Sequence, residues 1–499
     1  MDVGEVLRSA AQKQPDKTVV IFGRRNISYG DLHDMVNRLS CALVQKGVKK
    51  GDAVILMLHN TWEFVVSYFS IARIGAVTVP IDVRLKGEEL AAIIADSGAR
   101  FLIVHHGLFE TSEEIFSIYL SRDRMVFVDE KGLTGDFEVL IRDETLSGDT
   151  RVPVSDADEA VYYYTSGTTG KPKGVVLTFG NLDSFQEGIT PYATQGDIVG
   201  YVLPMSHVSG TLVCNEILFR GSTLCIFDNL RPDKIVHTMQ DQKVSWFFSV
   251  PPIFEAMLRV PHIETYNLSS LRWIAMMGTS VPIPLMEKFH QQFPATVVIQ
   301  GYGLTETNGP FTLVPLAAAE TRKGSVGTPI PRAEVKVIDN EGKELPCGEA
   351  GEILVRGPMV MKCYHHDLQS TRKKIKNGWL YTGDIGRFDE DGFLYHLGRK
   401  DDMMIVGGLN VFPAEIENVL KQHPLIHEVA AVGVSDKDRG EVIKAVVVTA
   451  DGAVVPEKEI ISFCRQRLAS YKVPRIVEFR QSLPRTTTGK IARRLLKEG

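Results

Sequence analysis

The chain reads as an α/β protein with a large N-terminal domain, made of two α/β subdomains plus a β-barrel-like subdomain, and a small mobile α+β C-terminal domain. Three observations predict this. Strand-sized apolar runs alternate with segments of helical period through residues 31 to 130 and again through 235 to 300. From about residue 320 the pattern changes to short strands between Gly and Pro turns. A charged stretch, Gly398-Arg399-Lys400-Asp401-Asp402, then precedes a tail running from 402 to 499 with helices and strands of its own. A chain of 499 residues is also too long for one ordinary core. The expected division is 1–400 and 401–499, with the hinge near Asp401.

In the first half the periodicity predicts helices over Asp31 to Lys46, Thr61 to Ile74 and Glu88 to Ser97, with Gly75 as a stop for the second. Between them, Ala53 to Leu58, Ala76 to Pro80 and Phe101 to Val104 read as strands. This rhythm implies a parallel sheet covered by helices. In the second half the helices are Ile235 to Gln242, Pro252 to Arg259 and Pro284 to Phe293, and the strands are Trp246 to Val250, Ile274 to Met277 and Thr296 to Gln300. Two such halves bracket a ligand cleft at their strand ends. The barrel-like region contributes Glu334 to Ile338, Glu352 to Arg356 and the run Gly378 to Asp384. In the tail, Pro413 opens a helix, Val429 to Val434 and Ile443 to Thr449 are strands, and Pro456 to Leu468 is helical.

Between the two halves lies Tyr164-Thr165-Ser166-Gly167-Thr168-Thr169-Gly170-Lys171-Pro172-Lys173-Gly174. Its glycines let successive backbone N–H groups converge on an anion, Thr165, Ser166, Thr168 and Thr169 add hydroxyl donors, and Lys171 and Lys173 add positive charge. Only Thr168 and Thr169 separate Gly167 from Gly170, Pro172 follows Lys171, and Val175-Val176-Leu177-Thr178 reads as a strand. The loop therefore sits in a strand–loop–strand hairpin, which excludes the Walker P-loop and its helix.

Composition narrows the class. Hydrophobic residues make up 44% and charged residues 23% of the chain, values of a globular protein. A net charge of −5 gives no basic field for nucleic acid. No apolar run reaches the length of a membrane span, and the acidic start Met1-Asp2-Val3-Gly4-Glu5 is unlike a signal peptide, so a cytoplasmic location is expected. The six cysteines are far apart, and neither a zinc site nor a disulfide framework follows from their spacing.

A second run, Gly301-Tyr302-Gly303-Leu304-Thr305-Glu306-Thr307, follows the strand ending at Gln300. Alone it also reads as a plain turn, but a carboxylate at a strand end beside oligophosphate is a hard oxygen ligand for Mg2+. Together the two runs resemble the phosphate loop and nucleotide motif of the adenylate-forming superfamily of acyl-CoA synthetases, luciferases and peptide-synthetase adenylation domains. The whole chain is most like an AMP-forming acyl-CoA synthetase. The resemblance implies that Gly167, Gly170 and the hydroxyl and lysine residues around them hold phosphate. It implies further that Tyr302, flanked by Gly301 and Gly303, stacks on adenine, that Thr305 bonds the α-phosphate, and that Glu306 with Thr165 holds Mg2+. Gly278, Thr279 and Ser280 fall at the adenine edge, and Asp384 and Arg399 match the ribose-binding pair. Asp401 takes the hinge position and Lys490, in Pro484-Arg485-Thr486-Thr487-Thr488-Gly489-Lys490, that of the terminal catalytic lysine. Gly407 and Gly408 match the loop along which the pantetheine arm passes. His207 occupies the place of an aromatic or histidine gate beside the substrate carboxylate.

The activity implied is carboxylate–CoA ligation through an acyl-adenylate, with ATP, CoA, Mg2+ and a small carboxylic acid as its ligands. His207, Phe248, Met276, Met277, Gly303 and Pro310 suggest an apolar acyl pocket, and a medium-chain, alicyclic or aryl monocarboxylic acid. The alternatives are a stand-alone adenylation enzyme that loads a carrier protein and a catalytically silent nucleotide-binding protein. A homodimer is an open expectation. Trp379 reads as core, and Arg485, Arg493, Arg494 and Lys497 as exposed basic residues of the tail.

Overall fold

The computed structural model describes residues 3–129, 135–166, 172–188, 192, 194, 196–278, 281–406, 409–436, 440–450, 453–485 and 491–497. Among these residues the main strands form four sheets. The first has seven strands in the order Cys363–Tyr364, Pro172–Thr178, Glu159–Ser166, Val77–Pro80, Ala53–Met57, Phe101–His105, Met125–Val128. Its central strands are parallel and wholly buried, which is why they appear in the sequence as unbroken apolar runs rather than alternating ones.

The second sheet has nine strands, with parallel Val297–Leu304, Trp273–Met276, Trp246–Ser249, Ile198–Tyr201, Thr223–Ile226 and Thr18–Phe22 in that order between antiparallel edges. The hairpin Thr18–Phe22/Arg25–Ser28 is the unanticipated part. The chain begins in the second sheet before it builds the first, so neither α/β half is a continuous stretch of sequence. From Ser28 the chain enters the helix Tyr29–Gln45 through a capping box: the Ser28 hydroxyl accepts from Asp31 N (3.0 Å) and the Asp31 carboxylate accepts from Ser28 N (3.3 Å). One apolar core draws side chains from both sheets around this helix and the helices Trp62–Arg73 and Val208–Arg220, while the outer face of each sheet carries a separate core.

The third sheet is antiparallel, Glu334–Ile338, Gly351–Arg356, Trp379–Phe388 and Ile375–Lys376, with Leu394–Arg399 also paired to Trp379–Phe388. Trp379 is not core. It is half-buried on this sheet, with Lys336 Nζ and the Arg356 guanidinium 4.4 and 4.6 Å from its ring, because its strand turns that face to solvent and cations cover it. The fourth sheet forms the small C-terminal part from Met404–Val406, Leu409–Val411, Ile426–Asp436, Gly440–Thr449 and Ile476–Phe479. No helix among the described residues is long and apolar enough to cross a membrane.

Arg493 also departs from expectation. Its guanidinium lies 2.6 Å from Glu417 Oε1 and 3.7 Å from Asp402 Oδ2, and Glu417 is 3% exposed. It therefore links the last described segment to the helix Pro413–Leu420 and to the charged stretch. Arg493→Ala leaves the buried Glu417 carboxylate without its cation and with only the Ala431 N–H, so the full chain should lose about 3 kcal/mol in denaturant unfolding, whereas exposed Arg494→Ala should change it little.

Candidate active site

The strand ends of the two parallel sheets meet along a cleft. Asn60, just beyond Ala53–Met57, donates to Leu203 O (2.6 Å) and accepts from Met205 N (2.8 Å), both just beyond Ile198–Tyr201. Beside this junction His207, at the N-cap of Val208–Arg220, places Nε2 3.8 Å from Oδ2 of Asp82. His207 thus stands at the boundary of the two halves, with side-chain exposure of 41%.

The Gly-rich loop springs from the hairpin Glu159–Ser166/Pro172–Thr178, in which Thr165 pairs with Lys173. Gly167, Thr168, Thr169, Gly170 and Lys171 lie outside the described residues, as does the side chain of Ser166. Lys173 Nζ donates to Ser370 Oγ (2.7 Å), is 4.0 Å from Asp367 Oδ2 and sits 5.4 Å from the Tyr364 ring centre. Tyr364 in turn donates its hydroxyl to Glu306 Oε1 (2.7 Å). Burial, reinforced by Glu306, pushes the Tyr364 phenol far above its ordinary value, so it remains a donor. Glu306 and Thr305 belong to the single turn Thr305–Thr307 packed against Pro172–Thr178, so the second motif is held against the first. Thr165 and a partly exposed Glu306 are hard oxygen donors, a set that fits Mg2+.

Gly301, Tyr302 and Gly303 are not a turn. The strand Val297–Leu304 runs through them, changing from its parallel partner to the antiparallel strand Gly309–Leu313. A Cβ on Gly303 would stand 2.1 Å from Gly309 O, so only glycine permits this approach. The Tyr302 hydroxyl donates to Asp384 Oδ2 (2.5 Å), and Arg399 Nη1 donates to Asp384 Oδ1 (2.9 Å). His396 adds Nε2 at 3.8 Å and places its ring 5.0 Å from that of Tyr302. Burial alone would raise the Asp384 carboxyl, but His396, Arg399 and Tyr302 outweigh it and hold it below the usual carboxylate value. Lys374 lies between the two clusters. Its Nζ donates to Thr382 O (2.8 Å), and burial lowers its basicity against the opposing pull of Glu306.

Phe248 and Met277 face the core shared by the two sheets, and Gly303 and Pro310 pair on adjacent strands. Met276 does not join them. Strand alternation sends it to the opposite face, fully buried in the core that also holds Phe254 and Phe289. Gly278 has a φ of +86° at the end of its strand, while Thr279 and Ser280 fall outside the described residues. Asp401 is exposed in the turn Lys400–Asp402; Gly407, Gly408 and Lys490 are also outside the described residues. Tyr364, Lys374, His396 and the Lys173 partners Asp367 and Ser370 escaped the sequence reading. None belongs to a recognisable motif, and each reaches the cleft only through long-range pairing.

Comparison with known proteins agrees with this architecture. The family model described as AMP-binding enzyme matches residues 7–365, and that described as AMP-binding enzyme C-terminal domain matches 415–490. An indoleacetate–CoA ligase of Aromatoleum aromaticum is 34% identical over 98% of this chain and 96% of its own length. A long-chain-fatty-acid–CoA ligase of Bacillus subtilis is 32% identical over 99% of this chain and 93% of its own. The crystal structure of an anthranilate CoA ligase in complex with anthranoyl-AMP superposes with a TM-score of 0.91 at 29% identity, covering 99% of this chain and 96% of that one. The chain belongs to the AMP-binding enzyme family, as an acid–thiol ligase of the AMP-forming acyl-CoA synthetase kind.

Proposed function

We propose that the protein activates an apolar monocarboxylic acid, of medium-chain, alicyclic or aryl type, and transfers the acyl group to CoA. The observation that carries this reading is the convergence of Lys173, Glu306, Tyr302, Asp384 and Arg399 on strand ends whose apolar residues include Phe248 and Met277. Relatives named for indoleacetate, long-chain fatty acids, 2-succinylbenzoate and anthranilate support ligation of a carboxylic acid to CoA, and the choice of acid rests on these apolar residues alone. In the first half-reaction a carboxylate oxygen attacks the α-phosphorus of ATP and pyrophosphate leaves. In the second the CoA thiol attacks the acyl carbonyl and AMP leaves, so no protein nucleophile is needed.

In this reading Asp384, kept ionised by its partners, accepts from the ribose hydroxyls while Tyr302 packs on the base. The Gly167–Lys171 loop with Ser166 and Lys173 holds the phosphates, and Thr305 bonds the α-phosphate. Glu306 and Thr165 hold Mg2+, which supplies charge neutralisation at the phosphates. His207 lines the entry of the acid, and Lys490 bridges the attacking carboxylate and the α-phosphate, two anions that otherwise repel. Rotation of the C-terminal domain about Asp401 then exchanges Lys490 for the Gly407-Gly408 loop.

Pyrophosphate release across straight-chain, alicyclic and aromatic acids, with and without CoA, should show multiple turnovers only with CoA and with apolar acids. Adenylate that CoA does not discharge would mark a carrier-loading enzyme, and silence with every acid would refute catalysis. Lys490→Ala should lower adenylate formation by about 100-fold or more and spare thioester formation from supplied acyl-adenylate, as single-turnover assays of each step will read. Glu306→Gln should raise the Mg2+ concentration needed for half-maximal turnover; an unchanged requirement removes it as a ligand.

A further inference from the structure

We propose that Asp96, His365 and His366 form a binding site for a divalent transition-metal ion of the zinc class, behind the phosphate-binding hairpin and apart from the nucleotide cleft. One ligand atom from each residue lies within 4.8 Å of the others. Asp96 comes from the last turn of the helix Gly87–Ser97, and the two histidines follow the strand Cys363–Tyr364, so the cluster joins elements far apart in sequence.

The groups are prepared as ligands. His365 N donates to Gly174 O (2.7 Å), which seats the residue on the hairpin, and its ring lies 4.4 Å from that of Tyr162 and 3.9 Å from that of His366. Its Nε2 is buried and has no hydrogen-bond partner among the described residues. A buried polar atom left unmatched is unfavourable, and a metal ion removes that deficit. Asp96 Oδ2 accepts the Tyr164 hydroxyl (2.6 Å), leaving Oδ1, 3.9 Å from His366 Nδ1, to face the cluster. A hydroxyl that orients a ligating carboxylate in this way is the usual support of a metal site.

Two imidazoles with one carboxylate suit Zn2+ rather than Mg2+, and three protein ligands leave a coordination position for water. Bonds of about 2.1 Å require the three groups to close by roughly an ångström. The exposed His366 gives an ion its entry. The bound ion would cross-link the helix Gly87–Ser97 to the segment that carries Tyr364, and Tyr364 holds Glu306. Occupancy would therefore stiffen the support of the hairpin and of the Glu306 turn together.

The test is equilibrium dialysis of untagged, chelator-treated protein against Zn2+ in excess Mg2+, with thermal unfolding alongside. One Zn2+ should bind per chain and raise the Tm. His366→Asn, at an exposed position that does not risk the fold, and Asp96→Asn should each weaken binding by about tenfold or more and lose the Tm rise. Exposed His262→Asn should leave both unchanged. Absence of stoichiometric Zn2+, or Zn2+ bound equally by wild type and both cluster variants, would overturn the proposal.

Discussion

Asp384 is 2% exposed, and an ionised carboxylate taken that far from water is unfavourable by several kcal/mol unless fixed donors replace its hydration. The donors come from separate parts of the chain. Tyr302 belongs to the nine-stranded sheet, and Arg399 and His396 to the strand paired with that of Asp384. Satisfying one carboxylate therefore helps dock the third sheet onto the end of the second and anchors the Tyr302 ring, which also packs edge-on against Phe311. The same donors hold the Asp384 carboxyl below its usual value in a place where burial alone would raise it. Under the proposed function, a ribose that presents two hydroxyls to it would meet a preorganised acceptor.

The opposite side of the cleft is built on a parallel logic. Glu306 is placed by the turn Thr305–Thr307, but the Tyr364 hydroxyl aims it, and Tyr364 rides on an edge strand paired with the phosphate hairpin. Lys173 is tethered to Ser370 on the helix Leu368–Lys374, and Lys374 at the end of that helix bonds Thr382, two residues before Asp384. One short segment, 363–374, thus touches both Glu306 and Lys173 on one side and the strand of Asp384 on the other. Displacement of that segment would be felt at both, so in the proposed function phosphate and ribose contacts would form as a unit.

Much of this fold is legible in the sequence because buried parallel strands are unbroken apolar runs. Trp62–Arg73, Trp246–Ser249 and Glu334–Ile338 fall within a residue or two of where periodicity puts them. The hairpin around the Gly-rich loop is legible for the same reason. Other features depend on pairing between distant segments. The strand Thr18–Phe22 crosses to the second sheet through neighbours found only in three dimensions. Met276 and Met277 are adjacent and equally apolar, and only the strand's phase sends them to opposite faces. Arg493 reads as one cation among several in a basic tail, yet it pairs with the buried Glu417. Tyr364, Lys374 and His396 are invisible for the same reason: local sequence specifies an element, and partners at long range specify what its side chains meet.

The central claim, that Asp384 is a preorganised ribose acceptor and not merely a docking contact, is tested most directly by calorimetric binding of AMP and of 2′,3′-dideoxy-AMP to wild type and to Asp384→Asn. Wild type should prefer AMP by about tenfold or more, and Asp384→Asn should lose this preference, whatever it does to overall stability. An equal preference in both proteins would contradict the claim and leave Asp384 with a structural role alone.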